Sequence, residues 1–172
     1  MEVVANSDSI LENRLIYLME QYEKDLLRMC SVYLRDRSLA EDAVQETFLK
    51  AYQGLSGFRG DCSEKTWLMR IAMNTCKNMR RNLWFRFRDR QVSWEQLPLP
   101  TPYAAAESIT VTQEVMRLPR KEQEVVLLYY YQGMKAKEIA QALGVSGAAV
   151  SKRLKQARNR LYIALEGGTK NE

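Results

Sequence analysis

The sequence predicts an all-α protein: two small helical domains joined by a proline-rich linker. Three observations predict it. Apolar residues recur at helical spacing over most of the chain. Pro98, Pro100 and Pro102 alternate within Gln91 to Tyr103, where they forbid helix and favour extended chain. The 172 residues are 46% hydrophobic, which suits one large or two small compact cores. The expected boundaries are 10–88 for the first domain, 89–108 for the linker and 109–166 for the second domain.

Each element follows from local chemistry. Met1 to Ser9 reads as a loose leader. A helix is expected over Ile10 to Asp36, where Leu15, Leu18, Met19, Tyr22, Leu26, Met29, Cys30 and Tyr33 keep the helical period. Cys30 therefore reads as a small buried hydrophobe. Ser38 is the expected N-cap of a helix over Leu39 to Gly54, with Glu41 and Asp42 in its first turn, where the helix dipole favours acids. Val44, Phe48, Ala51 and Leu55 form its apolar stripe. Asp42, Gln45, Glu46 and Leu49 share another side, which on pattern alone is a solvated acidic face.

The glycine-bearing loop Ser56 to Ser63 leads to a helix over Glu64 to Asn82, with Ser63 as its cap. Leu68, Ile71, Ala72, Thr75 and Met79 form its buried stripe. Opposite them lie Arg70, Asn74, Lys77 and Arg81, with Arg80 beside them. That face is either a solvated basic surface or a track for phosphates and base edges. The run Trp84 to Arg90, WFRFRDR, reads first as a helix end packed by its aromatics; stacking on bases is the alternative. Trp94 is a candidate anchor for the linker.

Helix is expected again from Ala104 to Arg117, broken at Leu118-Pro119 and resumed over Arg120 to Gln132. Val125, Val126, Leu128, Tyr129 and Tyr130 give the resumed helix a broad buried side, and Gly133 closes it. Lys135 to Ser146, with a turn glycine at Gly144 and a capping serine at Ser146, spells helix-turn-helix. Ile139, Ala140 and Leu143 face Val150, Leu154, Ala157 and Leu161. Ser151, Lys152, Lys155, Gln156 and Asn159 point outward, flanked by Arg153 and Arg158; such residues bond base edges and phosphates in a major groove. The tail from Gly167 is polar and expected to fray.

Composition narrows the function. A net charge of +5 favours an anionic partner. Histidine is absent, which removes the commonest general base and metal ligand. Cys30, Cys62 and Cys76 are widely spaced and form no CxxC, so a reducing cytoplasm fits, and no metal or cofactor is expected. No signal peptide or membrane span is read from the sequence. Asp42 and Glu46 pair at i, i+4 but no substrate site surrounds them, so an enzyme is not expected.

Several ordered motifs resemble a known family. Ala40-Glu41-Asp42, Gln45-Glu46-Thr47-Phe48, Ala51-Tyr52, Phe58-Arg59-Gly60, Lys65-Thr66-Trp67-Leu68, Arg70-Ile71-Ala72 and Asn74 resemble region 2 of bacterial RNA polymerase sigma factors of the extracytoplasmic-function (ECF) type. Leu118-Pro119, Gly133, Glu138-Ile139-Ala140, Leu143-Gly144, Val150, Arg153-Leu154 and Arg158 resemble region 4. The two resemblances cover nearly the whole chain.

The resemblance implies a division of labour. Asp42, Gln45, Glu46 and Leu49 would dock the coiled coil of the polymerase β′ subunit, while the second domain leans on the β flap. Phe58, Arg59, Gly60, Asp61, Lys65, Trp67, Arg70, Asn74, Lys77, Arg80 and Arg81 would melt and read the −10 element. The loop would receive a flipped base; Phe58 reads as a core aromatic, whereas Trp67 suits core and pocket wall equally. Ser146, Ala148, Ala149, Ser151, Lys152, Arg153, Lys155, Gln156 and Arg158 would read the −35 element. The family also implies a monomer when active, and an anti-sigma partner. Ala148-Ala149, Ser151, Gln123 and Asn78 depart from the family's usual residues, which leaves the promoter sequence open. The competing reading is a stand-alone helix-turn-helix regulator, dimeric on a palindromic site. It accounts for the second half but not for the ordered motifs of the first.

Overall fold

The computed structural model describes residues 2–88 and 109–168, with side chains over 7–85 and 111–167. All the regular structure among them is helical: α1 (Glu2–Leu34), α2 (Arg37–Leu55), α3 (Glu64–Arg88), α4 (Ile109–Arg117), α5 (Arg120–Val126), α6 (Ala136–Leu143) and α7 (Gly147–Gly168). A π-helical turn, Leu127–Tyr131, prolongs α5. The expected linker, Trp94 within it and the expected helix start at Ala104 lie outside the described residues.

Helices α1, α2 and α3 enclose the first core. Leu18, Leu26, Met29 and Tyr33 meet Phe48, Leu55, Leu68 and Met73 there, all buried. Each such side chain contributes about 1.5–3 kcal/mol relative to exposure. Cys30 and Cys76 lie in this core with their sulfurs 3.4 Å apart. Their mutual contact, and then burial, push the Cys30 thiol well above its ordinary pKa, so it stays protonated. Helices α4 to α7 enclose the second core with Val115, Met116, Val125, Leu128, Ile139, Val150, Leu154 and Ala157.

Several boundaries differ from expectation. α1 begins at Glu2, so most of the expected leader is helix. α2 is capped by Asp36, not Ser38: Asp36 is extended (φ −150°, ψ 125°) and its carboxylate accepts the Leu39 amide at 2.8 Å. A carboxylate caps as well as a hydroxyl, and the earlier start places Arg37 3.0 Å from Glu41 across one turn. Glu41 and Asp42 therefore fall beyond the first turn. α3 runs on to Arg88, and Trp84 and Phe85 are about half exposed, so they do not pack the helix end into a core. Tyr130 is exposed, because the π turn adds a residue and rotates it outward. α7 continues through Gly168, beyond the expected fraying point.

The second domain lies directly against the first. Tyr33 donates to Glu124 at 3.2 Å, and Gln132 Nε2 donates to the Asp25 carbonyl at 3.0 Å. Arg35, at the end of α1, donates to the Met116 carbonyl near the end of α4. Arg28 stacks over Tyr131 at 4.6 Å.

Candidate nucleic-acid interface

Three surfaces carry the expected site residues. The first is one side of α2. Asp42, Gln45 and Leu49 are exposed, and Glu46 is half-exposed and paired with Lys50. Leu49, at 58% exposure, is an apolar side chain amid acids and amides. Tyr52, one turn on and 38% exposed, extends the face; its helical spacing from Leu49 was a signal the sequence reading left unused.

The second surface begins at the loop before α3. Gly60 has φ +77°, a conformation that favours glycine, and this turn carries Arg59 and Asp61 outward. Ser63 caps α3 through its hydroxyl, which accepts the Thr66 amide at 3.1 Å. Trp67 packs on bare Gly54, where an added Cβ would come within 3.2 Å of its ring. Phe58 tilts against Trp67 with ring centroids 5.1 Å apart. Both aromatics are half-buried, so Phe58 is no more a core residue than Trp67. Together with Gly57, Arg59, Asp61, Cys62 and Arg70 they line a recess of about 290 Å³. Apolar walls with polar groups at the rim are what an extruded base requires. Arg14 of α1, which the sequence reading did not single out, stacks over Phe58 at 5.5 Å and pairs with Glu64.

Along α3 the expected cation line is present, but much of it is engaged. Arg70 donates to the Gln141 carbonyl at 2.7 Å, and Lys65 donates to the Gln132 carbonyl. Lys77 lies 3.3 Å from Glu124, and Arg80 donates to Gln123 at 3.0 Å. All four acceptors belong to the second domain. Asn74 and Arg81 are exposed. Glu124 is only 3% exposed and also pairs with Arg120 at 3.3 Å. Burial first, and then the Glu124 charge, push the Tyr33 hydroxyl far above its ordinary pKa, so it remains a donor.

The third surface is the start of α7. Gly144 ends α6 at φ +65°, and the Ser146 hydroxyl accepts the Ala149 amide at 3.1 Å. Val150, Leu154 and Ala157 are buried, which turns Ala148, Ser151, Lys152, Lys155 and Gln156 to solvent. Ala149 and Arg153 are half-buried. Arg158 is exposed but folds back, donating to the Tyr130 hydroxyl at 2.8 Å. No cluster of three or more metal-binding side chains occurs among the described residues. No helix among them is long and apolar enough to cross a membrane.

An all-helical fold that ends in a helix-turn-helix with a cationic recognition helix defines a DNA-binding protein. Residues 18–86 match sigma-70 region 2, and residues 109–161 match sigma-70 region 4. The RNA polymerase sigma factor YlaC of Bacillus subtilis is 33% identical over 151 residues, covering 82% of this chain and 86% of that one. The ECF RNA polymerase sigma factor SigM of Mycobacterium tuberculosis is 30% identical over 151 residues, covering 84% and 73%. A probable sigma factor of Xanthomonas campestris, RfaY, is 35% identical over 138 residues but is much longer, and the match covers 33% of it. Among solved structures, the sigma factor RpoE of Bartonella quintana, crystallised with the anti-sigma factor NepR, has a TM-score of 0.72 at 23% identity over 90% of this chain and 96% of that one.

The chain belongs to the ECF group of sigma-70 family RNA polymerase sigma factors, with regions 2 and 4. It is a transcription initiation factor, not an enzyme.

Proposed function

We propose that residues 10–88 bind core polymerase and the −10 element, that residues 109–166 bind the −35 element, and that 89–108 link them in the cytoplasm. The observation that carries this reading is the recess walled by Phe58 and Trp67 at the head of the α3 cation line. Binding an extruded base there more tightly than the stacked base shifts DNA toward the open state without hydrolysis. The exposed α2 face of Asp42, Gln45, Glu46 and Leu49 docks the β′ coiled coil, and the second domain leans on the β flap. The active form is a monomer. An anti-sigma protein of the kind bound to the Bartonella relative fits the same surfaces.

The contacts on Arg70, Lys77 and Arg80 describe a closed form whose −10 track is covered by its own second domain. The α2 face and the outer side of α7 remain open in that form. Core polymerase therefore docks first, and separation of the two halves then frees the track. The deciding experiment is in-vitro transcription with core polymerase on pooled genomic fragments. Specific starts that depend on this chain are expected; no start on any fragment, with no inhibitor present, would remove the reading.

Two substitutions divide the surfaces. Glu46→Lys is expected to weaken core binding roughly 10-fold or more by placing a cation in an acidic docking face, with helix content by circular dichroism unchanged. Unchanged core affinity would mean that α2 docks by another side. Lys155→Ala is expected to weaken −35 DNA binding and lower the slope of log K against log salt by about 1. An unaltered slope would take Lys155 off the phosphates.

A further inference from the structure

The two aromatic walls of the recess beside α3 are held unequally. Trp67 is seated within α3 and backed by bare Gly54, where an added Cβ would come within 3.2 Å of its ring. Phe58 stands on the loop, between Gly57 and Gly60, the second of which has φ +77°. Its backbone is tied only locally, by the Phe58 amide donating to the Leu55 carbonyl at 3.3 Å. Glycines on either side give such a segment more freedom than helix does. A ring placed there keeps one orientation only if a side chain from a firmer element holds it.

Arg14 supplies that hold from α1. Its guanidinium lies 5.5 Å from the Phe58 ring centroid, inside the ~6 Å at which a cation is drawn to a ring face. Trp67 meets the same Phe58 ring with centroids 5.1 Å apart and planes at 43°. The guanidinium is itself fixed, because its Nε donates to the carboxylate of Glu64, the first residue of α3. Arg14 and Glu64 are 39% and 29% exposed, so water screens them less than it screens a pair on the open surface. A planar guanidinium can bond a carboxylate along one edge and still meet a ring, which an ammonium does less well. Phe58 is therefore clasped between α1 and α3. The recess walls are Phe58, Trp67 and their loop neighbours, and Arg14 is not among them.

We infer that Arg14 is a positioning residue of the −10 site: held by Glu64, it fixes Phe58 against Trp67 and so sets the shape of the recess. A wall that is already in place loses little freedom when a base arrives. A wall that swings must be ordered at that moment, and the cost appears in the opening step and not in the earlier binding of duplex. The role in opening rests on the functional reading above; the hold on Phe58 does not.

The test therefore has one arm without DNA. In the free full-length chain, NMR cross-relaxation between the Phe58 ring and the Trp67 indole should fall at least about 2-fold in Arg14→Met. It should be unchanged in Lys137→Met, which removes an equal charge from an exposed site on α6. In the second arm, with assembled polymerase, Arg14→Met is expected to slow promoter opening about 3- to 10-fold, with core and −35 affinities unchanged. Arg14→Lys keeps a cation within reach of the ring and should recover part of the rate. On a Phe58→Leu background, Arg14→Met should cost nothing further, because the ring through which it acts is gone.

Unchanged ring cross-relaxation in Arg14→Met overturns the inference, whatever the promoter does. So does a loss of opening rate that persists in full on Phe58→Leu, since Arg14 would then act on the strand itself. Wild-type opening in Arg14→Met while Trp67→Ala is slow makes the Arg14–Glu64 pair a fold contact only, and likewise ends the proposal. Loosened ring contact together with wild-type opening in both Arg14→Met and Trp67→Ala leaves the hold on Phe58 standing and removes the base-receiving recess instead.

Discussion

Glu124→Ala is expected to raise the affinity of the free chain for a −10 fragment by up to about 100-fold and to lower its melting temperature. Glu124 is nearly buried and accepts from Tyr33 at 3.2 Å while pairing with Lys77 and Arg120, each at 3.3 Å. Without the carboxylate, the buried Tyr33 hydroxyl and the Lys77 ammonium, both on the first domain, lose the acceptor that the second domain extends across the seam. Breaking a buried pair in this way costs about 3–5 kcal/mol. Lys77 keeps partial contact with water, so the lower end applies, about 3 kcal/mol, or roughly 100-fold. The cost falls on the closed form alone, because separation of the halves hydrates both groups. The gain in DNA affinity is limited by how fully the closed form was populated. Fluorescence anisotropy reads the affinity and small-angle scattering reads the expansion. Glu114→Ala, which removes an equal charge whose carboxylate pairs with Arg117 instead of reaching across the seam, serves as the comparison and should change affinity little. An unchanged radius of gyration together with unchanged DNA affinity would show that the Glu124 contacts do not hold the chain closed.

The seam is also the part of the molecule that was least legible beforehand. Helices α6 and α7 could be read from Gly144, Ser146 and the Val150, Leu154, Ala157 stripe, because caps and periodicity are local signals. The loop aromatics are legible as candidates for the same reason, although it is the folded loop that brings Phe58 and Trp67 into one half-open recess. The cations of α3 are visible in the sequence, which offers them two partners, water or DNA, and the folded chain supplies a third. Their acceptors sit far along the chain: Gln123 for Arg80, Glu124 for Lys77 and the Gln141 carbonyl for Arg70. No helical period reports such a pairing. Gln123 stood out only as a departure from the family's usual residue, whereas it is fully buried and also donates to the Val115 carbonyl at 3.1 Å. Asp36, and not Ser38, caps α2 for a simpler reason. Asp36 and Ser38 are both good caps two residues apart, and the choice depends on the backbone turning extended at Asp36.

Trp67→Ala is expected to slow promoter opening by the assembled polymerase about 10- to 100-fold while leaving −35 binding intact. A base stacked on an aromatic side chain is worth about 1–3 kcal/mol. The Trp67 ring is held in place from two sides, by Phe58 at 5.1 Å and by bare Gly54, so it presents a fixed wall and loses little freedom when a base arrives. Its truncation costs the fold less than the ~3–5 kcal/mol typical of a buried tryptophan, because the ring is only partly covered. Trp67→Phe keeps a stacking face and should restore most of the rate. Gly54→Ala supplies an independent check. Its new methyl would crowd the ring, so the ring must shift although no aromatic is lost, and an intermediate rate is expected. 2-Aminopurine in the −10 non-template strand reports the extruded base directly. Wild-type opening rates in Trp67→Ala, at equal −35 affinity and equal core binding, would show that the recess beside α3 does not receive the base.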